Sequence, residues 1–131
     1  MINLLLDTHV LIWWLEKSPR LGAGTKKTLL SPNARPTVSA VSIWEISIKA
    51  ALGRLHLADP LENWVPKLRE WGVQELPISF EHATAAGNLP PYHNDPFDRM
   101  LVAQARCEGL TIVTVDPALR AYDVRTIDAS R

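Results

Sequence analysis

Two short apolar runs in this chain stop on an aspartate, and the segments between them alternate between helix-like and strand-like patterns. Ile2–Leu6 ends at Asp7, and the β-branched run Thr111–Val115 ends at Asp116. A short, nearly continuous apolar run is what a strand buried on both faces requires. After Asp7 the spacing predicts a helix through Val10, Leu11, Trp14 and Leu15, with Thr8 as its cap, and a second near Thr25–Leu30. Thr37–Ala40 reads as a strand. Ser42 then caps a helix to Leu52, with Glu45 in its first turn and Gly53 as the stop. Pro60 opens a helix to about Trp71, Val73–Leu76 is a strand, and Ser79 caps a helix to about Gly87. A proline-rich loop over Asn88–Pro96 leads into a helix from Pro96 to Arg106, stopped by Gly109. A last strand lies near Val124–Ile127. Such alternation predicts an α/β fold around a mainly parallel sheet.

In open α/β sheets ligands bind beyond the carboxyl ends of the strands. Asp7 and Asp116 each follow a strand directly. Glu45 and Asp98 each fall in the first turn of a helix, and short connections would bring those turns to the same edge. Four carboxylates on one spot repel one another unless a cation neutralises them. An all-oxygen site suits Mg²⁺ or Mn²⁺ better than zinc. Such an ion orients and helps deprotonate water and stabilises charge on a phosphoryl oxygen, the chemistry of phosphodiester cleavage. Each acid also has a plainer reading. Glu45 and Asp98 would favour the helix dipole, and Asp7 and Asp116 are ordinary turn residues, the latter in an Asp-Pro step. The case rests on all four together.

The segments that carry these acids are Leu4-Leu-Leu-Asp-Thr-His-Val-Leu-Ile-Trp-Trp, Ser39-Ala-Val-Ser-Ile-Trp-Glu-Ile-Ser-Ile-Lys, Asp95-Pro-Phe-Asp-Arg-Met-Leu-Val-Ala-Gln-Ala and Leu110-Thr-Ile-Val-Thr-Val-Asp. In that order and spacing, over nearly the whole chain, they resemble the PIN-domain family, and within it the VapC-type toxins of toxin–antitoxin pairs. The resemblance places the family's four metal-binding acids on Asp7, Glu45, Asp98 and Asp116, and an accompanying hydroxyl residue on Thr114. It implies a PIN-like three-layer sandwich with about five parallel strands and helices on both faces, spanning residues 1–131 as one nuclease domain. It further implies a Mg²⁺- or Mn²⁺-dependent endoribonuclease that cuts structured RNA such as tRNA or rRNA, forms a homodimer and is held by a small antitoxin. Two other readings stay open: a DNA-directed metal-dependent nuclease, and a domain that only binds RNA or a partner.

Around this set, Asp95 has two readings, a contribution to the site or a cap on the helix at Pro96. Arg99 could pair with an acid or touch phosphate, and Lys49, one turn beyond Glu45, could pair with it. His93 either contacts substrate or is simply part of a polar loop. His9 is a helix-packing residue first and a ligand second, and no zinc spacing involves His56 or His82. Of the tryptophans near the acids, Trp13, Trp14 and Trp44, at least two are expected to pack between helices or across a dimer rather than stack on RNA. Lys17, Arg20, Lys26 and Lys27 form the densest basic cluster, a solvated face or a phosphate-steering rim.

Lysine plus arginine and aspartate plus glutamate number 14 each, so the chain lacks the overall basic charge of a general nucleic-acid coat. The single Cys107, expected to be buried, cannot form an internal disulfide, which fits a reducing compartment. No segment approaches a membrane-spanning length, and the chain reads as cytoplasmic.

Overall fold

The computed structural model describes residues 1–131. Five strands form one sheet in the order β3-β2-β1-β4-β5, and every pair is parallel. The strands are β1 (Ile2–Leu6), β2 (Ala34–Ser39), β3 (Gln74–Leu76), β4 (Thr111–Thr114) and β5 (Thr126–Asp128). The helices are α1 (Thr8–Leu15), α2 (Ala23–Leu29), α3 (Ala40–Ala51), α4 (Leu61–Glu70), α5 (Phe80–Gly87) and α6 (Pro96–Glu108). No helix is long and apolar enough to cross a membrane.

β1 is central, and its side chains divide by the period of two. Leu4 and Leu6 enter a core with Val10 and Leu11 of α1, Leu29 of α2, and Trp64 and Leu68 of α4. Leu5 enters the opposite core with Ala86 of α5 and Leu101, Val102 and Ala105 of α6. Helices therefore cover both faces, the three-layer arrangement expected, and the continuous apolar run Leu4–Leu6 is explained by burial on both sides. α3 straddles the layers, sending Val41 into the second core and Ile46 into the first.

The structure moves several boundaries. Asp7 rather than Thr8 caps α1, its side chain accepting from His9 N. β2 begins at Ala34, three residues ahead of the expected start at Thr37, and runs through Pro36. Pro36 is tolerated because β3 pairs only from Thr37 onward, so the β3 side of β2 is open at the proline. α3 starts three positions early: Ser39 caps it by accepting from Val41 N at 3.1 Å, which frees the Ser42 hydroxyl for a partner on α1. Ser79, Asp95 and Gly109 do what their local sequence predicts; Gly109 closes α6 with φ +67°, a left-handed conformation natural to glycine.

The strand order sets the site. From β1 the chain moves to β2 and β3 on one side, then returns to β4 and β5 on the other. The reversal falls between the carboxyl ends of β1 and β4, the switch point at which α/β sheets form the crevice that takes their ligands.

Candidate active site

Asp7 is the residue after β1. Its N–H donates to Val113 O at 3.0 Å, extending the β1–β4 ladder one step and setting Asp7 beside Thr114. Thr114 Oγ1 donates to Asp7 Oδ2 and accepts from the Asp116 N–H at 3.0 Å. One hydroxyl thus fixes both strand-end acids. Asp116 Oδ1 accepts from Ala118 N at 2.9 Å, so the turn role of its Asp-Pro step is real, and Oδ2 is left to face the crevice side.

Glu45 lies in the second turn of α3, not the first, because the helix starts at Ala40. It is buried: Thr8 Oγ1 donates to Oε1 at 2.7 Å, and Lys49 Nζ, one turn on, pairs with Oε2. The Ser42 hydroxyl sits 3.1 Å from Thr8 Oγ1 and steadies that donor. Asp98 occupies the third position of α6. Asp95 caps the helix by accepting from Phe97 N (2.8 Å) and Asp98 N (3.3 Å), with Pro96 at its first position. Of the carboxylate oxygens of Asp7, Glu45, Asp98 and Asp116, only Asp98 Oδ1 has no partner.

Asp7, Glu45 and Asp98 share one electrostatic environment. Burial, opposed by the Thr114 and His9 hydrogen bonds, raises the proton affinity of Asp7, and the Glu45 charge adds to the rise. Burial and then the charges of Asp7 and Asp95 push Asp98 up to about 7, with Glu45 adding and His93 opposing. Lys49 is raised by its bond to Glu45, and its ammonium also feels Asp95 and Asp98 across the pocket. No arginine or lysine pairs with Asp7 or Asp98. Clustered oxygens, one carboxylate oxygen free, and negative charge that the protein's own cations do not match are what a hard divalent cation fits.

Residues 4–125 match the family model described as the PIN domain. The chain belongs to the PIN-domain family. Ribonuclease VapC22 of Mycobacterium tuberculosis (strain ATCC 25618 / H37Rv) is 32% identical to this PIN domain over 123 residues, 93% of each chain. The VapBC2 structure from Rickettsia felis, bound to a promoter DNA fragment, superposes with a TM-score of 0.71 at 15% identity, covering 96% of this chain and 98% of that one. VapBC-1 from nontypeable Haemophilus influenzae gives 0.70 at 20% identity over 99% and 100%. The fold and the resemblance to VapC-type proteins are thereby borne out.

Other residues of this PIN domain take places the sequence did not specify. Arg99, half-buried, pairs with no acid. Its guanidinium donates to the carbonyls of Ala86 (2.9 Å), Leu89 (3.1 Å), Pro90 (3.1 Å) and His93 (3.3 Å), clamping the loop that precedes α6. That corrects the reading of Arg99 as an acid partner. A single ammonium cannot span four carbonyls. Arg99→Lys is therefore expected to cost about 1–3 kcal/mol in denaturant unfolding and to speed amide exchange over residues 88–95. Unchanged stability with weaker RNA binding would return Arg99 to the substrate.

Cys107 is exposed rather than buried. Trp14 packs against Trp71 with ring centroids 5.2 Å apart, and Trp13 lines the first core, whereas Trp44 is exposed and meets Phe97 edge-on. His93 is the residue sequence reasoning undervalued. Its Nε2 lies 2.9 Å from Asp98 Oδ2 and 3.3 Å from Asp116 Oδ2. The available signal was its position two residues before the Asp95 cap, which holds it close to the first turn of α6.

Proposed function

We propose that this PIN domain is a metal-dependent endoribonuclease acting as the toxin of a toxin–antitoxin pair, on structured RNA such as tRNA or rRNA. The observation that carries the reading is the convergence of Asp7, Glu45, Asp98 and Asp116 at the β1–β4 crevice, with Asp98 pushed up to about 7 by burial and its acidic neighbours. The ribonuclease name of the relative at 32% identity supports RNA as substrate. The VapBC structures of the same fold support an antitoxin partner; the homodimer is what the family resemblance implies. Cytoplasmic action suits an exposed, unpaired Cys107.

Asp7, Glu45, Asp98 and Asp116 would hold Mg²⁺ or Mn²⁺. When bound, such an ion supplies positive charge that polarises a phosphoryl oxygen and acidifies water. The chain's own part is orientation. Thr114 and the His9 N–H hold both oxygens of Asp7, so its rotamer is set before anything binds. Thr8 and Lys49 do the same for the two oxygens of Glu45. Fixed ligands need little reorganisation on binding.

The test is cleavage of folded RNA and of DNA, side by side, by the purified protein with Mg²⁺, Mn²⁺ or chelator. RNA cleavage that chelator stops, and that Asp7→Ala removes while the variant still melts cooperatively, is expected. Cleavage that survives Asp7→Ala, or that falls on DNA alone, overturns the reading.

A further inference from the structure

His93 sits in the loop before α6, outside the four acids, yet its Nε2 contacts two of them. We propose that His93 is a positioning residue that ties Asp116 to the Asp98 side of the cluster through its Nε2–H, and thereby sets the site's affinity for a divalent cation. The proposal rests on the metal-site reading given above.

The tautomer follows from the other ring nitrogen. The Asp95 N–H donates to His93 Nδ1 at 3.2 Å. Nδ1 therefore presents its lone pair, and in the neutral ring the hydrogen is on Nε2. A ring in that state has no lone pair at Nε2 to give a metal, but it has a donor, aimed at Asp116 Oδ2. Asp98 Oδ2, at 2.9 Å, lies against the same positive end of the imidazole. Asp98 Oδ1 remains free.

The backbone that carries the ring is held at both its N–H and its carbonyl. The His93 N–H donates to Tyr122 Oη at 3.0 Å, Tyr122 Oη in turn donates to Pro90 O at 2.9 Å, and the His93 carbonyl accepts from Arg99. Asp116 is the least anchored acid: its side chain is 35% exposed, Oδ1 is spent on the turn at Ala118, and His93 is the only partner of Oδ2. Without the imidazole, Asp116 is an ordinary turn aspartate free to swing into solvent. Outer partners that orient ligating carboxylates are worth about 10–100-fold in metal affinity.

The competing explanation is that His93 only accepts the Asp95 N–H and so shapes the loop. Two substitutions separate the roles. In His93→Asn the side-chain oxygen takes the place of Nδ1 and keeps the Asp95 bond, but nothing reaches Asp116. In His93→Gln the amide extends as far as Nε2 and donates to Asp116. Calorimetric titration of the full chain with Mg²⁺ and with Mn²⁺ should show about tenfold weaker binding for His93→Asn and a loss under about threefold for His93→Gln. Adding His93→Asn to Asp116→Asn should cost nothing further. Ring ¹⁵N shifts of the metal-free wild type should report the Nε2–H tautomer. Wild-type affinity in His93→Asn assigns His93 to the loop alone and overturns the proposal. Equal weakening in both variants with unchanged melting makes the ring itself a ligand and overturns it too, as does an Nδ1–H tautomer. A wild type that takes up neither ion is a different failure, that of the metal site itself, and ends the proposal with it.

Discussion

Replacing Asp98 by asparagine is expected to lower RNA cleavage about 10³-fold or more while raising the melting temperature of the metal-free protein. The two effects share one cause. Asp98 is partly buried beside Asp7, Asp95 and Glu45, and these push it from 3.8 to about 7. With solvent screening of the partly exposed side chain allowed for, that rise corresponds to a penalty of order 1–3 kcal/mol on the ionised form. Its place in the first turn of α6 returns only about 0.5 kcal/mol from the helix dipole. Asparagine keeps the shape and drops the charge, so the melting point should rise by a few degrees. A cation at such a site contributes several kcal/mol of transition-state stabilisation, which sets the size of the kinetic loss. Scanning calorimetry in chelator and single-turnover cleavage in Mg²⁺ check the two halves. A destabilised but active Asp98→Asn protein would assign Asp98 to the helix cap region alone.

The stability of the metal-free protein should fall as pH rises from about 4 to about 7, the reverse of the usual behaviour of paired carboxylates. Asp98 and Asp7 both hold their protons more tightly in the fold than in the unfolded chain. Across that window the folded state binds more protons than the unfolded state, so each step up in pH favours unfolding. Below the unfolded value both states are protonated and the penalty vanishes; above about 7 Asp98 contributes it in full. Asp59, Glu81 and Asp128 are lowered by hydrogen bonds and act in the opposite sense, but their loss of stabilisation falls below the ordinary carboxylate range. The two windows therefore do not overlap. Melting temperatures at pH 5 and 7.5 are the measurement. In chelator the higher pH should melt earlier; in millimolar Mg²⁺ the difference should shrink or reverse, since an ion that binds only the folded state stabilises it. Identical pH curves with and without metal would show that the acids do not share an ion.

Much of the chain was legible because its signals are local. The apolar run before Asp7, the Ser79 cap, the Asp95-Pro96 start and the Gly109 stop each act within one helical turn or one strand, and the structure keeps them. Where two local signals competed, packing decided. Ser39 and Ser42 are both fair caps for α3. The helix starts at the first because Val41 is needed in the second core and Ser42 faces Thr8, and that moved Glu45 into the second turn. Proline is a poor strand residue, and Pro36 is held in β2 because the sheet order leaves its β3 side open there.

The sequence by itself determined which segments are strands and helices, that the sheet is parallel in character, and that Asp7 and Asp116 stand at strand ends. Those properties depend on side-chain period and on caps, which involve neighbours in the chain. Only the tertiary structure decided that β1 lies beside β4, so that Thr114 reaches Asp7 across 107 positions. It alone decided that Arg99 clasps carbonyls and that His93 meets Asp98 and Asp116. A guanidinium or an imidazole can satisfy many partners equally well, and the choice among them is made by strand order and burial, which no local pattern encodes.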